Sequence, residues 1–142
     1  AIIIGCFDDT GLQKAREVSL CPVLGIGEAS FIFSNLHKGQ TAVITTVYDA
    51  VPVIKNNIEN SGYKNQINEV IAADVEVLEL EFNPAGSALK FAQASKTLAL
   101  NTQNIILGCA GAVRIRDEFE DITGYRSFDG VTSAAKLCRA LV

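Results

Sequence analysis

The sequence of 142 residues predicts an α/β fold with two pseudo-symmetric lobes, in which mostly parallel sheets are flanked by helices and an active-site cleft lies between the lobes. Three observations predict it. Aliphatic runs of strand length alternate with amphipathic stretches of helix length along the chain. Two of those runs end in Gly-Cys, at Cys6 and at Cys109. Gly27 follows Cys6 at the same spacing as Gly130 follows Cys109, which indicates a duplicated strand–Cys–helix–strand–Gly–helix unit.

The elements of the first half are recognised by their end signals. Asp8, Asp9 and Thr10 are the side chains expected to cap the first helix. Gly39 and Gly62 are expected to stop the second and third helices. The predicted strands are 1–6, 21–27 and 41–46, and the predicted helices are 12–19, 28–36 and 48–61.

The second half alternates in the same way. A run of Ala and Lys favours one long helix, and an aliphatic run before Cys109 favours a buried strand. The predicted strands are 70–73, 104–109 and 126–129, the predicted helices are 84–101, 114–122 and 132–142, and residues 75–80 form a loop or a short helix.

The duplicated units flank a middle segment that has strands of its own. We therefore expect residues 1–40 and 112–142 to form the first lobe and residues 41–111 the second. The chain opens directly on a strand of central character, which predicts that the first lobe is incomplete and that its N-terminal elements are absent from this sequence.

Composition excludes several classes of function. With 49% hydrophobic and 20% charged residues, the chain is typical of globular rather than disordered proteins. A net charge of −4 argues against a nucleic-acid partner or an anionic membrane surface. Apolar runs fall short of the roughly 18 residues that span a bilayer. We expect a small-molecule substrate, and homo-oligomerisation is left open.

Cysteine usage indicates reduced thiols rather than a metal site or a disulfide framework. The four cysteines form no Cys-x-x-Cys pair, and the single histidine, His37, sits in a Lys/Gly turn, so no metal is expected. The absence of secretory-signal features favours a cytoplasmic protein. Cys21 and Cys138 are expected to pack in the core.

Cys6 and Cys109 are the candidate catalytic residues. A cysteine between a strand end and a capped helix lies near backbone N–H groups and a helix dipole, which lower a thiol pKa from about 8.5 toward neutrality. Two thiols on opposite faces of one carbon allow a proton to leave one face and return on the other. The alternative is that both are small hydrophobic side chains at strand ends, and the shared context favours the catalytic pair.

Thr45 and Thr46 close the third predicted strand. Their hydroxyl and N–H groups could hold a polar atom of a ligand, or their presence could reflect the strand propensity of threonine alone. Both interpretations stay open at the level of sequence.

Several motifs in a fixed order carry a resemblance to a known family. They are Ile4–Leu12 with Ala15–Glu17, Pro22–Ala29, Val43–Thr46, Leu107–Gly111 and Phe128–Val131. Along its whole length the chain resembles the hydantoin/allantoin racemase branch of the aspartate/glutamate racemase superfamily.

The resemblance implies a cofactor-independent racemase that inverts a stereocentre of a 5-substituted hydantoin or of allantoin, with Cys6 and Cys109 as opposed acid and base. It implies that backbone around six further residues completes the pocket: Phe7, Thr45, Thr46, Gly108, Ala110 and Gly111. Family members begin with a strand and an Asn-Pro-Asn type loop that contacts the substrate. Nothing in this sequence matches that loop, so we expect one wall of the pocket to be absent.

Alternatives within the superfamily are a cis–trans isomerase or a decarboxylase, both of which use strand-end cysteines. A decarboxylase keeps one thiol, so two thiols favour the racemase. From another class, a non-catalytic thiol-containing binding module stays open.

Overall fold

Strands and helices alternate throughout the computed structural model, which describes residues 1–141; the predicted end of the last helix at Val142 lies outside the described residues. The strands are β1 Ile2–Ile4, β2 Val23–Gly25, β3 Gln40–Thr45, β4 Ile67–Ala72, β5 Thr102–Gly108 and β6 Arg126–Asp129. The helices are α1 Leu12–Val18, α2 Ile26–Asn35, α3 Ala50–Asn60, α4 Glu79–Phe82, α5 Pro84–Ser95, α6 Arg116–Thr123 and α7 Gly130–Leu141, with a 3-10 helix at Ala110–Arg114. The predicted α/β class is confirmed.

Within the described residues the strands form two sheets, and all pairings are parallel. β1 pairs with β2, with Ile2 opposite Val23. The larger sheet has the order β4-β3-β5-β6. Its two middle strands are fully buried at residues 42–44 and 105–107. Helices cover both faces of these strands, which explains why their sequences are continuous aliphatic runs.

Alternate residues of the middle strands enter two different cores. Ile44 and Leu107 pack against α5 and α6, where Phe91 and Phe119 are fully buried. Val43 and Ile106 point to the opposite face and pack against Phe31, Ile54 and other residues of α2, α3 and α7. The two-residue period of a strand therefore separates the two cores.

The connection order of the larger sheet places a crevice at one point. From β3 the chain moves outward to β4, and it returns to the other side of β3 for β5. In open α/β sheets, ligands bind where the direction of winding reverses, at the carboxyl ends of the strands. Here that point lies between Thr45 and Gly108, the last residues of β3 and β5.

The expected lobe assignment differs from the strand pairing at one element. Residues 112–142 were expected in the first lobe, but β6 pairs with β5 in the larger sheet. Helix α7 does pack against α2 and contacts β2. The final segment therefore connects the two sheets, since its strand joins one and its helix covers elements of the other.

Two predicted boundaries and one predicted helix cap are wrong for local reasons. Helix α5 ends at Ser95 rather than at residue 101, because the next N–H groups bond three residues back and the chain must reach β5. Strand β4 begins three residues earlier than predicted, since Ile67 pairs with Thr41 although polar residues follow it. Within residues 1–141, α1 has Gly11 in the left-handed region as its N-cap and no side-chain cap. The predicted capping of α1 by Asp8, Asp9 and Thr10 is therefore wrong.

Candidate active site

A cavity of about 290 Å³ lies where the carboxyl ends of β1, β3 and β5 meet. It brings together seven of the eight residues predicted for the site: Cys6, Phe7, Thr45, Thr46, Gly108, Cys109 and Ala110. The eighth, Gly111, is outside the lining but contacts the Cys109 thiol. Parallel strands present their carboxyl ends at one edge, which is why residues from three distant segments meet here.

Cys109 is half-buried, and burial raises the pKa of its thiol above the ordinary value. The nearby Cys6 and Asp8 add to the rise, because like charges oppose ionisation. Hydrogen bonds from the Gly111 N–H and the Thr46 hydroxyl act in the opposite direction and lower the pKa. The predicted lowering of a strand-end thiol pKa is thus wrong for Cys109, since desolvation outweighs the local donors.

Cys6 is exposed at the start of the loop that follows β1. Its carbonyl oxygen accepts a hydrogen bond of 3.0 Å from the Asp9 N–H, which closes a tight turn directly after the thiol. The two proposed catalytic cysteines therefore share a cavity but differ in burial. Cys21, predicted in the core, is exposed instead, and Cys138 is half-buried.

The two threonines have different partners. The Thr45 hydroxyl donates to the Gly108 carbonyl at 2.9 Å and links the ends of β3 and β5. The Thr46 hydroxyl lies near the Cys109 thiol instead, and its interaction with that sulfur lowers the thiol pKa. Thr45 therefore contributes to the shape of the cavity wall, and Thr46 is the threonine that acts on a candidate catalytic group.

Two other predicted residues are explained by close packing. The Phe7 side chain is buried and meets Phe31 edge-on at 6.1 Å between ring centroids, so its main chain is left to face the cavity. A Cβ at Gly108 would lie 2.9 Å from Val43 Cγ1 and 3.3 Å from Thr45 Cβ. Glycine at this position allows β3 and β5 to approach at the crevice.

Sequence reasoning missed five residues that line the cavity: Gly5, Asp8, Val47, Ala50 and Val77. Asp8 matters most, because it is the one charged side chain among the lining residues of the described chain. The sequence pattern predicts a helix cap at Asp8 instead. Its position two residues after the Cys6 thiol, in the loop at a strand's carboxyl end, was the signal for a role in the site.

A larger cavity of about 600 Å³ lies between α3, β4 and α5, and it is lined mostly by aliphatic side chains. Its lining within the described residues includes neither of the strand-end cysteines. We assign the site to the smaller cavity, because that cavity lies at the winding reversal and contains groups able to transfer protons.

Among residues 1–141, no three His, Cys, Asp or Glu side chains are grouped so as to hold a metal ion. No helix in this range is both long enough and apolar enough to cross a membrane.

Comparison with known proteins identifies the family of this chain. A model of the family described as Asp/Glu/hydantoin racemase matches residues 1–138. The chain belongs to this racemase family. It is similar to a hydantoin racemase of Rhizobium meliloti, with 37% identity over 145 residues that cover the whole chain and 60% of the relative.

Solved structures similar to this racemase-family chain include two allantoin racemases. The one from Pseudomonas fluorescens gives a TM-score of 0.90 at 27% identity, over 98% of this chain and 60% of that one. The one from Klebsiella pneumoniae gives 0.88 at 26% identity, over 98% and 58%. The chain spans about 60% of the length of the curated relatives it matches.

Proposed function

We propose that the protein is a cofactor-independent racemase of hydantoin-type substrates, a 5-substituted hydantoin or allantoin, with Cys6 and Cys109 as its two bases. The observation that carries the proposal is that both thiols line one cavity although they belong to different sheets. A pair of this kind has a direct use in racemisation, which needs one group on each face of a planar intermediate. Membership of the racemase family and the relatives named above support the same reaction.

The proposed reaction moves two protons. The Cys6 thiolate takes the proton from the substrate carbon, and the electrons of that C–H bond move toward the adjacent carbonyl to give an enolate. The Cys109 thiol then donates its proton to the opposite face and becomes a thiolate. The assignment of Cys109 as the acid fits its surroundings, because burial favours the protonated form of this thiol. The other enantiomer reacts by the reverse sequence.

The enolate oxygen needs a hydrogen-bond donor. Ala110 lines the cavity at the start of a 3-10 helix, and the first N–H groups of a helix lack partners within it. We propose that this N–H and the neighbouring main chain stabilise the developing charge. The Gly111 N–H has a different role, since it bonds to the Cys109 thiol.

Charge favours a neutral ring over a free amino acid as substrate. The cavity lining in the described residues includes the Asp8 carboxylate and lacks Lys, Arg and His. A free amino acid is a zwitterion: its ammonium group can pair with Asp8, but its carboxylate finds no Lys, Arg or His in this lining, which is costly away from water. A hydantoin is uncharged, and its ring N–H groups can donate hydrogen bonds to a carboxylate.

We further propose that the chain works in two lobes, each supplying one thiol, and that it acts in the cytoplasm on a small molecule without nucleic-acid or membrane partners. Both catalytic groups must be reduced in this mechanism, and all four cysteines, each within the described residues, are free. An assembly of several copies is compatible with the proposal and is tested by the mass of the protein in solution.

The decisive experiment follows optical rotation with allantoin and several 5-substituted hydantoins, using the complete polypeptide that carries these residues. We expect racemisation by the wild type and a loss of about 10³-fold in both Cys6→Ser and Cys109→Ser. Cys21→Ser is the matched control, because that exposed thiol lies at the opposite end of its sheet, before β2. Full activity in either of the first two variants would contradict the two-base mechanism.

The alternatives give different results in the same series. An isomerase that attacks its substrate covalently would produce an intact-mass adduct on one cysteine and would not change the rotation of a hydantoin. A non-catalytic thiol module would leave every substrate unchanged.

A further inference from the structure

One carboxylate in the Cys6 loop reaches a helix far along the chain. Asp9 Oδ1 accepts a hydrogen bond from the Gly27 N–H at 3.0 Å, and Asp9 Oδ2 accepts one from the Glu28 N–H at 2.7 Å. These donors belong to the first turn of α2, whose N–H groups lack partners within the helix. The side chain that caps α2 therefore comes from the loop that carries the candidate base.

Two glycines make room for this carboxylate. A Cβ at Gly25 would lie 2.3 Å from Asp9 Cγ, and a Cβ at Gly27 would lie 2.8 Å from Asp9 Oδ2 and 2.4 Å from the Phe7 carbonyl oxygen. Real side chains do not approach so closely, so both positions must lack a side chain while Asp9 occupies this place. The sequence Gly-Ile-Gly at the start of α2 thus forms a seat for the Cys6 loop.

The backbone of the loop is built around the same residue. Asp9 is one of two non-glycine residues with positive φ among residues 1–141, at 51°. Its N–H donates to the Cys6 carbonyl at 3.0 Å, and its own carbonyl accepts from the Leu12 N–H at 3.1 Å. A left-handed aspartate costs conformational energy, which the surrounding contacts must offset. The side chain, the turn and the thiol therefore move together.

We propose that Asp9 is a positioning residue for Cys6: its carboxylate, seated on the N-terminus of α2, fixes the loop that aims the thiol into the cavity. The proposal rests on the proposed racemase function, in which Cys6 must meet a carbon at near contact distance. Asp9 is absent from the cavity lining and acts through the loop.

Ionisation of Asp9 links this position to pH. Burial raises the pKa of Asp9 to about 6, the neighbouring Glu28 adds to the rise, and the two N–H donors and Arg16 oppose it. Arg16 itself is paired with Glu28, and the cation Lys14 lines an outer surface groove together with Asp9 and Glu28. Above the pKa the carboxylate accepts both hydrogen bonds at full strength. Below it the neutral acid stays in its buried place but accepts the two hydrogen bonds more weakly, so the loop aims the thiol less precisely.

The proposal predicts a change of slope in the pH profile. A racemase that needs one thiolate gains activity with a slope of one on a logarithmic plot of kcat/KM against pH below its thiol pKa. If Asp9 must also be ionised, the slope becomes two below about pH 6. In Asp9→Asn the change from slope one to slope two should be absent. The kcat at pH 8 should fall about tenfold, with a smaller change in KM.

Gly25→Ala tests the seat without changing any ionisable group. Its added Cβ displaces the Asp9 side chain, so the kcat loss should resemble that of Asp9→Asn, and the double variant should lose little more. Asp117→Asn, an exposed carboxylate on α6, is the control and should keep the wild-type profile with both slopes. A wild-type slope of one down to pH 5, or an unchanged kcat in both test variants, would overturn the proposal.

A second measurement separates this proposal from the reaction itself. In an NMR titration of the wild type, the Gly27 and Glu28 amide signals should move together with a midpoint near pH 6. Alkylation of Cys6, located by peptide mass, should change rate over the same range, and alkylation of Cys21 should not follow it. If no hydantoin is racemised but both results hold, the proposed function fails and the anchoring of Cys6 stands. Gly27 and Glu28 amide signals that follow no titration of Asp9 refute the anchor even if the enzyme is active.

Discussion

The two cysteine loops have the same sequence pattern and different physical supports. The Cys6 loop is held by a carboxylate that reaches across to the start of α2. The Cys109 loop is held by apolar packing: Ala112 in its 3-10 helix is fully buried, and Gly111 packs against Leu80. Helix α7, the counterpart of α2, is capped from within its own segment, since the Thr132 N–H donates to Asp129 Oδ1 at 2.7 Å.

This difference shows that a duplicated sequence pattern need not give two equivalent half-sites. One thiol is exposed on a loop with an ionisable anchor, and the other is half-buried on a loop without one. The two proposed bases should therefore respond differently to pH and to mutation, although racemisation uses both.

The largest expected effect distinguishes the two thiols by stereochemistry. In D₂O, Cys6→Ser should exchange the substrate C–H of one enantiomer only, because Cys109 can still remove and return a proton on its own face. Cys109→Ser should exchange the opposite enantiomer. Both variants should racemise about 10³-fold more slowly than the wild type. Proton NMR of the reacting carbon measures the exchange, and polarimetry measures the inversion.

Exchange is informative because racemisation rates cannot distinguish the half-sites. The enantiomers have equal free energy, so kcat/KM must be the same in both directions for any variant. Exchange of the same enantiomer by both variants would mean that the thiols do not oppose each other. Cys21→Ser should exchange both enantiomers as the wild type does.

A smaller effect is expected at the Cys109 half-site. Thr46→Val removes a hydrogen bond that lowers the pKa of Cys109, so that pKa should rise further. The Cys109-dependent limb of the pH–rate profile should move to higher pH, with an activity loss of about two- to threefold at pH 8. The matched variant Thr45→Val leaves the buried Gly108 carbonyl without its donor. It should lower the free energy of unfolding by about 1–2 kcal/mol and leave the position of the limb on the pH axis unchanged. Equal shifts of the limb in both variants would contradict the assignment of Thr46 to the Cys109 thiol.

The smallest expected effect is on stability and concerns the Cys6 half-site. The pKa of Asp9 is raised by burial from 3.8 to about 6, so folding favours its protonated form. Its contribution is fully present below about pH 4 and is lost as pH rises through about 6. The Tm of the wild type relative to Asp9→Asn should therefore increase by a few degrees as pH falls from 7 to 4. Asp117→Asn should show no such trend relative to the wild type.

A flat difference in Tm would mean that Asp9 titrates normally in the folded protein. The expected result would instead show that the ionised carboxylate proposed to position Cys6 is kept at some cost in stability, as is common at functional sites.

Patterns that depend on neighbouring residues were predicted well from the sequence. The aliphatic run that ends at Cys109 forms a strand at the expected place, because a strand covered on both faces must be apolar throughout. The run that ends at Cys6 also forms a strand, although Ile2 and Ile3 are exposed rather than buried. Sites in open α/β sheets form at the carboxyl ends of strands, and seven of the eight predicted residues do line one cavity there. The end of α5 was wrong, since helix propensity continues past the point where the chain must turn toward β5.

The sequence by itself determined the α/β class, the order of the elements and the residues at the carboxyl ends of β1, β3 and β5, because these follow from local periodicity and spacing. Only the tertiary structure decided that Asp9 caps α2 rather than α1, that Asp8 lines the cavity and that burial raises the pKa of Cys109. Each of these depends on which distant segments lie close enough to donate a hydrogen bond or to exclude water. Local sequence carries little information about which segments will approach each other.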